Sequence, residues 1–248
     1  MSNYLQKILT KYSVSSNAAT QVERHLRPTI IEWGGNQLLK IEISGSISKG
    51  TAVSNGTDVD LFLSLKSTSN LTLNNIYESL YLHLLQKKFN PRKQNVSLGI
   101  SCQGYKVDLV PARRQSQYGN DHSLFVSKNN TWVKTNIHKH ISHVTQSRRQ
   151  EEIRLVKIWR NLNNLDFPSL HIELMIIEAL KYSKFGDLEN NFFKCLQFIA
   201  DNMASKRYVD PANTNNVISD LTSLSQKRRV AICAKNSTNE KYWSDIVW

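Results

Sequence analysis

Apolar residues recur at helical spacing near the start of the chain, at Leu5, Ile8 and Leu9 and again at Val22 and Leu26. This predicts one or two helices over residues 4–33, with Arg27-Pro28 kinking or breaking the run. Residues 38–44, LLKIEIS, then alternate with period two and predict a strand. Gly45-Ser46 interrupts it, and a polar segment continues to Thr57. A second strand follows over 59–65, with Leu61, Leu63 and Leu65 on one face and Asp60, Phe62 and Ser64 on the other. Residues 73–88 have the spacing of an amphipathic helix that ends in lysines. Residues 96–102 and 105–110 read as a hairpin across Gln103-Gly104. Beyond Gln146 the periodicity is helical, over 148–161, 169–184, 189–203 and about 217–234. The pattern therefore predicts a mixed α/β half, residues 1–145, followed by a helical half, residues 146–248. It shows no repeat and no flexible linker between them.

Composition narrows the class. The 248 residues are 40% hydrophobic and 21% charged, enough for one large domain or two small ones packed together, which excludes a disordered chain. The longest strongly apolar stretch, 174–177, is far short of the roughly 18 residues a bilayer span needs, so no membrane association is expected. The first residues, MSNYLQKILTKYSV, carry no continuous apolar segment of the secretory type. Cys102, Cys195 and Cys233 are odd in number and far apart, which fits neither a zinc spacing nor a disulfide framework. The expected location is the cytoplasm. Thirty-two Lys and Arg against twenty Asp and Glu leave a net charge of +12. That surplus suits nucleotides or nucleic acid, and suits equally a set of solvated surface residues.

The candidate chemistry lies in residues 45–65 and 105–112. Asp58 and Asp60 are two apart, which on a strand turns both carboxylates to one face. Two such carboxylates repel each other unless a cation lies between them. Asp108 sits between Val107 and Leu109 in a second strand, an uncommon place for an Asp that is neither paired nor metal-bound. Three Asp on adjacent strands suggest a two-ion magnesium (or manganese) site for phosphoryl or nucleotidyl transfer. Gly45 lets the backbone approach a ligand closely, and Ser46 and Lys49 add a hydroxyl and a positive charge for a phosphate. His138, His140 and His143 fit no common zinc motif and read as surface histidines near a loop.

The motifs G-S-x-x-K-G-T, D-V-D and V-D-L-V-P-A resemble those of the polymerase-β-type nucleotidyltransferase superfamily. In the helical half, R-L-V-K-x-W at 154–159, P-S-x-x-x-E-L at 168–174 and D-P-x-x-x-N-N-V at 210–217 resemble oligoadenylate synthetases and the bacterial cyclic-oligonucleotide synthases (CD-NTases). The resemblance implies an α+β fold, a polymerase-β-like core packed against a C-terminal helical domain. It implies that Asp58, Asp60 and Asp108 hold the metals, with Asp108 nearest the attacking hydroxyl. Gly45 and Ser46 would cradle the triphosphate, Lys157 would reach its phosphates, and Ser169 would border the base pocket. Independently, Leu155, Ile158 and Leu162 point one face of their helix at a core, leaving Lys157 to face elsewhere. Where the resemblance has a base-stacking tyrosine, this chain has Leu170; Tyr182 is another ring that could serve.

The function so implied is template-independent joining of NTPs, a ribose hydroxyl attacking an α-phosphate with release of pyrophosphate. The product would be a linear or cyclic signalling oligonucleotide, which in bacteria serves anti-phage defence. The alternatives are an RNA nucleotidyltransferase like the archaeal CCA-adding enzyme, disfavoured by the shortness of the chain after its helical half, and an inactive nucleic-acid-binding homologue. NTPs are the expected partners, with nucleic acid or a regulatory protein as further ones. Arg113-Arg114, Arg148-Arg149 and Lys227-Arg228-Arg229 are the basic clusters left for an RNA groove or for solvent.

Overall fold

A computed structural model describes residues 3–56 and 58–248, with Asn3 and Ser16 described by backbone alone. Thr57, at the end of the polar segment, and the first two residues of the N-terminal stretch lie outside the described residues. In chain order the elements begin with helices α1 (Asn3–Lys11) and α2 (Ser16–Gly34), strand β1 (Leu38–Ile43), the single turn α3 (Gly45–Ser48), β2 (Val59–Leu65) and α4 (Leu73–Gln86). Strands β3 (Arg92–Lys93), β4 (Leu98–Cys102), β5 (Tyr105–Arg114), β6 (His122–Val126) and β7 (Thr131–Thr135) follow. The chain ends with α5 (Ile137–Ser147), α6 (Gln150–Leu162), α7 (Ser169–Ala179), α8 (Leu188–Asn202), the ribbon β8 (Val209–Asp210) and β9 (Asn213–Val217), and α9 (Leu224–Ser237). The mixed α/β character holds. The chain forms two compact units, but not by a single cut at residue 145: Ser15–Lys49 with Thr57–Ile141 make one, and Met1–Val14, Gly50–Gly56 and Ser142–Trp248 the other.

The first unit is built on a sheet of order β1-β2-β5-β4-β3, with β6 paired to β5 and β7 to β6. Only β2 and β5 run parallel, with α4 in the crossover between them. One face of the sheet, with Leu61, Leu63, Leu98, Ile100, Val107 and Leu109, packs in a core with Val22, Leu26 and Ile30 of α2 and Tyr77, Leu80 and Leu84 of α4. Of the kink or break expected at Arg27-Pro28, the break does not occur: α2 runs through Pro28. It lies on the helix's exposed side, where the carbonyl it leaves unpaired can meet water. An interior proline costs about 3 kcal/mol. Each large apolar side chain buried by the stripe returns about 1.5–3 kcal/mol, so the helix continues. On the opposite sheet face Phe62, Ala112, Leu124 and Ile137 form a small second core.

Helices α1 and α5–α9 supply most of the second unit's core, with α6 buried nearly all round: Glu152, Ile153, Leu155, Val156, Lys157, Ile158 and Trp159 are all inside. Residues 50–56 belong here, through Val53 in the core and the Ser54 N–H bound to the Tyr12 carbonyl at 2.9 Å. The expected helix over 217–234 is interrupted. Ser223 caps α9 by accepting from the Gln226 N–H at 3.2 Å, so the helix starts only there. The D-P-x-x-x-N-N-V motif is the β8–β9 turn. The buried Asp210 carboxylate accepts from the Ala212 N–H at 2.8 Å and from Asn216 Nδ2 at 3.0 Å. No helix was expected over residues 137–147, where α5 lies; His138, His140 and His143 are on it rather than near a loop.

Candidate active site

Asp60 of β2 is the direct register partner of Asp108 of β5. In a parallel pair such partners turn their side chains to the same face, with strands roughly 4.8 Å apart. Asp58, two residues before Asp60, joins that face at the strand's mouth and is exposed, while Asp60 and Asp108 are half-buried. The alternate residues Val59, Leu61, Val107 and Leu109 are buried in the core on the other face. Buried apolar neighbours on both strands thus fix the direction in which the carboxylates point.

Gly45 lies directly against this group. Its φ is +65°, and a Cβ built there would fall 1.7 Å from Asp60 Oδ2. No other residue type fits. The preceding Ser44 N–H donates to the Asp60 carbonyl at 2.8 Å, which ties the end of β1 to the start of β2. Ser46 and Lys49 follow in and after the single turn α3, both half-buried.

The Asp108 carboxyl is pushed up from its ordinary value, first by burial and then by the Asp58 charge; Gln94, Arg92 and Ser97 pull it back. Gln94 Nε2 donates to Asp108 Oδ1 at 2.9 Å. The β4 residue opposite Asp108 is Gly99. Neither Gln94 nor Gly99 was singled out from the sequence, because only the strand register brings them to Asp108.

Lys157 and Ser169 belong to the helical unit. Lys157 does not face away from the core as the helix spacing suggested: it is 2% exposed. Its Nζ donates to Thr51 Oγ1 and to Glu173 Oε1, each at 2.9 Å, and Thr51 and Glu173 are both 0% exposed. A strip of apolar residues cannot reveal this, because a buried cation matched by a buried carboxylate reads as an exposed lysine. Ser169 opens α7 but does not cap it with its side chain; its Oγ accepts from Arg160 at 3.2 Å. Leu170 packs on the helical core, and Tyr182 is 90% exposed beside Lys181. Among the basic clusters, Arg149 is internal. It bonds Glu152 and the carbonyls of Leu180, Ser183 and Lys184, and stacks on Phe185.

The donor set fits a hard divalent cation, being all carboxylate oxygen on one face with a glycine cleared beside it. Among the described residues no group of three or more His, Cys, Asp or Glu side chains is placed to hold a metal ion. An ion of the magnesium type takes only one or two carboxylates, completed by waters and substrate phosphates.

The parallel β2–β5 pair carrying Asp60 and Asp108, with Asp58 just before β2 and Gly45 against Asp60, lies in a fold shared with solved nucleotidyltransferase structures. Solved structures bear this out at the level of the fold. Escherichia coli MS115-1 CdnC, in complex with HORMA-deltaN, superposes with a TM-score of 0.77 at 17% identity, over 95% of this chain and 88% of that one. The Bradyrhizobium diazoefficiens CD-NTase CdnG with GTP gives 0.76 at 14% identity, over 96% and 91%. The Cid1 poly(U) polymerase bound to MgATP gives 0.70 at 12% identity, over 98% and 97%. No protein-family profile and no curated protein sequence matches the chain. Among the described residues no helix is long and apolar enough to cross a membrane.

Proposed function

We propose that this chain is a template-independent nucleotidyltransferase of the CD-NTase kind, joining NTPs into a short linear or cyclic signalling oligonucleotide. The observation that carries the reading is the register of Asp60 on Asp108, with Asp58 on the same face and Gly45 held against Asp60. Asp58, Asp60 and Asp108 are the residues that would hold Mg²⁺ or Mn²⁺. When bound, such ions neutralise triphosphate charge and activate the attacking hydroxyl.

A ribose hydroxyl oxygen bonds to the α-phosphorus as the bond to the bridging oxygen of pyrophosphate breaks. Asp108, the carboxylate raised by burial, takes the hydroxyl proton. The Gly45-Ser46 backbone and hydroxyl position the triphosphate, and Lys49 supplies positive charge. Lys157, enclosed with Glu173 and Thr51, is given a stabilising part in place of direct phosphate contact, and Ser169 remains the candidate neighbour of the base. Signalling in anti-phage defence, a cytoplasmic location and control by a regulatory protein belong to this reading. CdnC's complex with HORMA-deltaN supports the last of these.

Cid1's match over nearly its whole length favours one second reading, addition of nucleotides to an RNA 3′ end. Incubation with four labelled NTPs and Mg²⁺ or Mn²⁺, with and without a single-stranded RNA, decides between them. Pyrophosphate release and oligonucleotides formed without RNA support the first reading. Label found only on RNA sinks it in favour of the second, and no release with any NTP and either metal sinks both.

A further inference from the structure

Gln94, in the loop between β3 and β4, lies outside every motif, yet its Nε2 reaches Asp108 Oδ1 at 2.9 Å. Its amide cannot turn over freely, because Ser97 Oγ donates to Gln94 Oε1 at 2.7 Å. Its backbone is anchored as well. The Gln94 N–H donates to the Ser97 carbonyl at 3.0 Å and to the Tyr77 hydroxyl at 3.1 Å. The Gln94 carbonyl accepts from Ser127 Oγ at 2.7 Å and lies 2.8 Å from the Tyr77 hydroxyl of α4. Gly99 makes the room: a Cβ there would come within 2.6 Å of Gln94 Nε2.

We propose that Gln94 is a positioning residue for Asp108, a neutral amide donor that fixes the carboxylate's orientation while leaving its full negative charge for a divalent cation. A lysine or arginine at that place would neutralise the charge and compete with the ion. An apolar side chain would leave a half-buried carboxylate oxygen without its donor. Residues behind metal-holding carboxylates act this way, and losing one costs tenfold to a hundredfold in metal affinity. Ser97 holds the Gln94 amide oxygen, and its hydroxyl also supports Asp108 directly.

The inference rests on the reading of Asp108 as a metal-holding residue. The test is Mn²⁺ binding to the full chain, followed by electron paramagnetic resonance in the presence of a non-hydrolysable ATP analogue, alongside pyrophosphate release. Gln94→Met keeps the length and removes the amide. It should weaken Mn²⁺ binding tenfold to a hundredfold and lower kcat, with KM for NTP within about twofold of the parent. Ser97→Ala should shift Mn²⁺ binding in the same direction by less. Unchanged Mn²⁺ affinity in a folded Gln94→Met chain overturns the proposal. If Gln94→Met does not fold, unchanged Mn²⁺ affinity in Ser97→Ala overturns it alone. A parent chain that binds Mn²⁺ in a Gln94-dependent way but releases no pyrophosphate sinks the functional reading and leaves this one standing. A parent chain that binds no Mn²⁺ sinks both.

Discussion

The two units treat buried charge in opposite ways. In the helical unit Glu173 is matched by the Lys157 ammonium and Glu152 by the Arg149 guanidinium, each pair nearly closed to water. In the sheet unit Asp108 is hydrogen-bonded by a neutral amide, with Arg92 as a cation acting on it but not ion-paired to it, beside two further carboxylates on the same face. A buried pair that neutralises itself is a structural element, and removing one partner strands the other. A carboxylate group held by neutral donors keeps its charge for something brought from outside. On the proposed reading, the difference separates residues that hold this protein together from those that would act.

The sharpest way to break the comparison is to remove a charge from each side. Asp60→Asn or Asp108→Asn should lower pyrophosphate release by three orders of magnitude or more, about 4 kcal/mol of barrier. The melting temperature without metal should hold or rise, since like-charge repulsion falls. Near-parental turnover in either variant would remove the metal assignment. Chelating the divalent ions should have the same effect on the parent.

Lys157→Ala should act on stability first. It leaves the Glu173 carboxylate buried without its cation, at a cost of about 3–5 kcal/mol, visible as a lower denaturation midpoint. Replacing both partners, Lys157→Met with Glu173→Leu, should recover most of it. A Lys157→Ala chain of parental stability with weakened NTP binding would instead return Lys157 to the phosphates.

A smaller effect is expected at His171, fully buried against the Phe167 and Tyr208 rings, with neither ring nitrogen hydrogen-bonded among the described residues. Burial, and secondarily the Lys227 charge, lower it to about 4. The neutral form is the folded one. Its contribution is complete above the unfolded value near 6.5 and is lost as pH falls towards 4, by at most about 3 kcal/mol. Denaturant midpoints across that window should fall in the parent and stay flatter in His171→Phe; parallel curves would discard the idea. The smallest effect concerns the basic cluster at 227–229, with Lys227 half-buried and Arg228 and Arg229 exposed. Duplex RNA should not raise turnover, and any binding should weaken steeply with salt. Stimulation by duplex RNA, lost when Lys227, Arg228 and Arg229 become Ala, would show the cluster to be a sensor.

Period-two alternation marked β1 and β2 in the sequence, although β2 proves buried on both faces. The D-V-D spacing likewise put Asp58 and Asp60 on one face, and a lone Asp between Val107 and Leu109 marked the third. Gly45 was legible as a point of close approach, though not what it approaches. Tertiary structure alone decided the rest. The β2–β5 register set Asp60 on Asp108, and β4–β5 pairing brought Gly99 and Gln94 to the same carboxylate. Packing carried α2 through Pro28, since burial of a long stripe outweighs one lost hydrogen bond. Lys157 went inside because Glu173, sixteen residues on, came to meet it. Local patterning reports what a residue prefers next to its chain neighbours. A partner supplied from another strand or helix changes the dielectric and the charge around it, and no spacing records that.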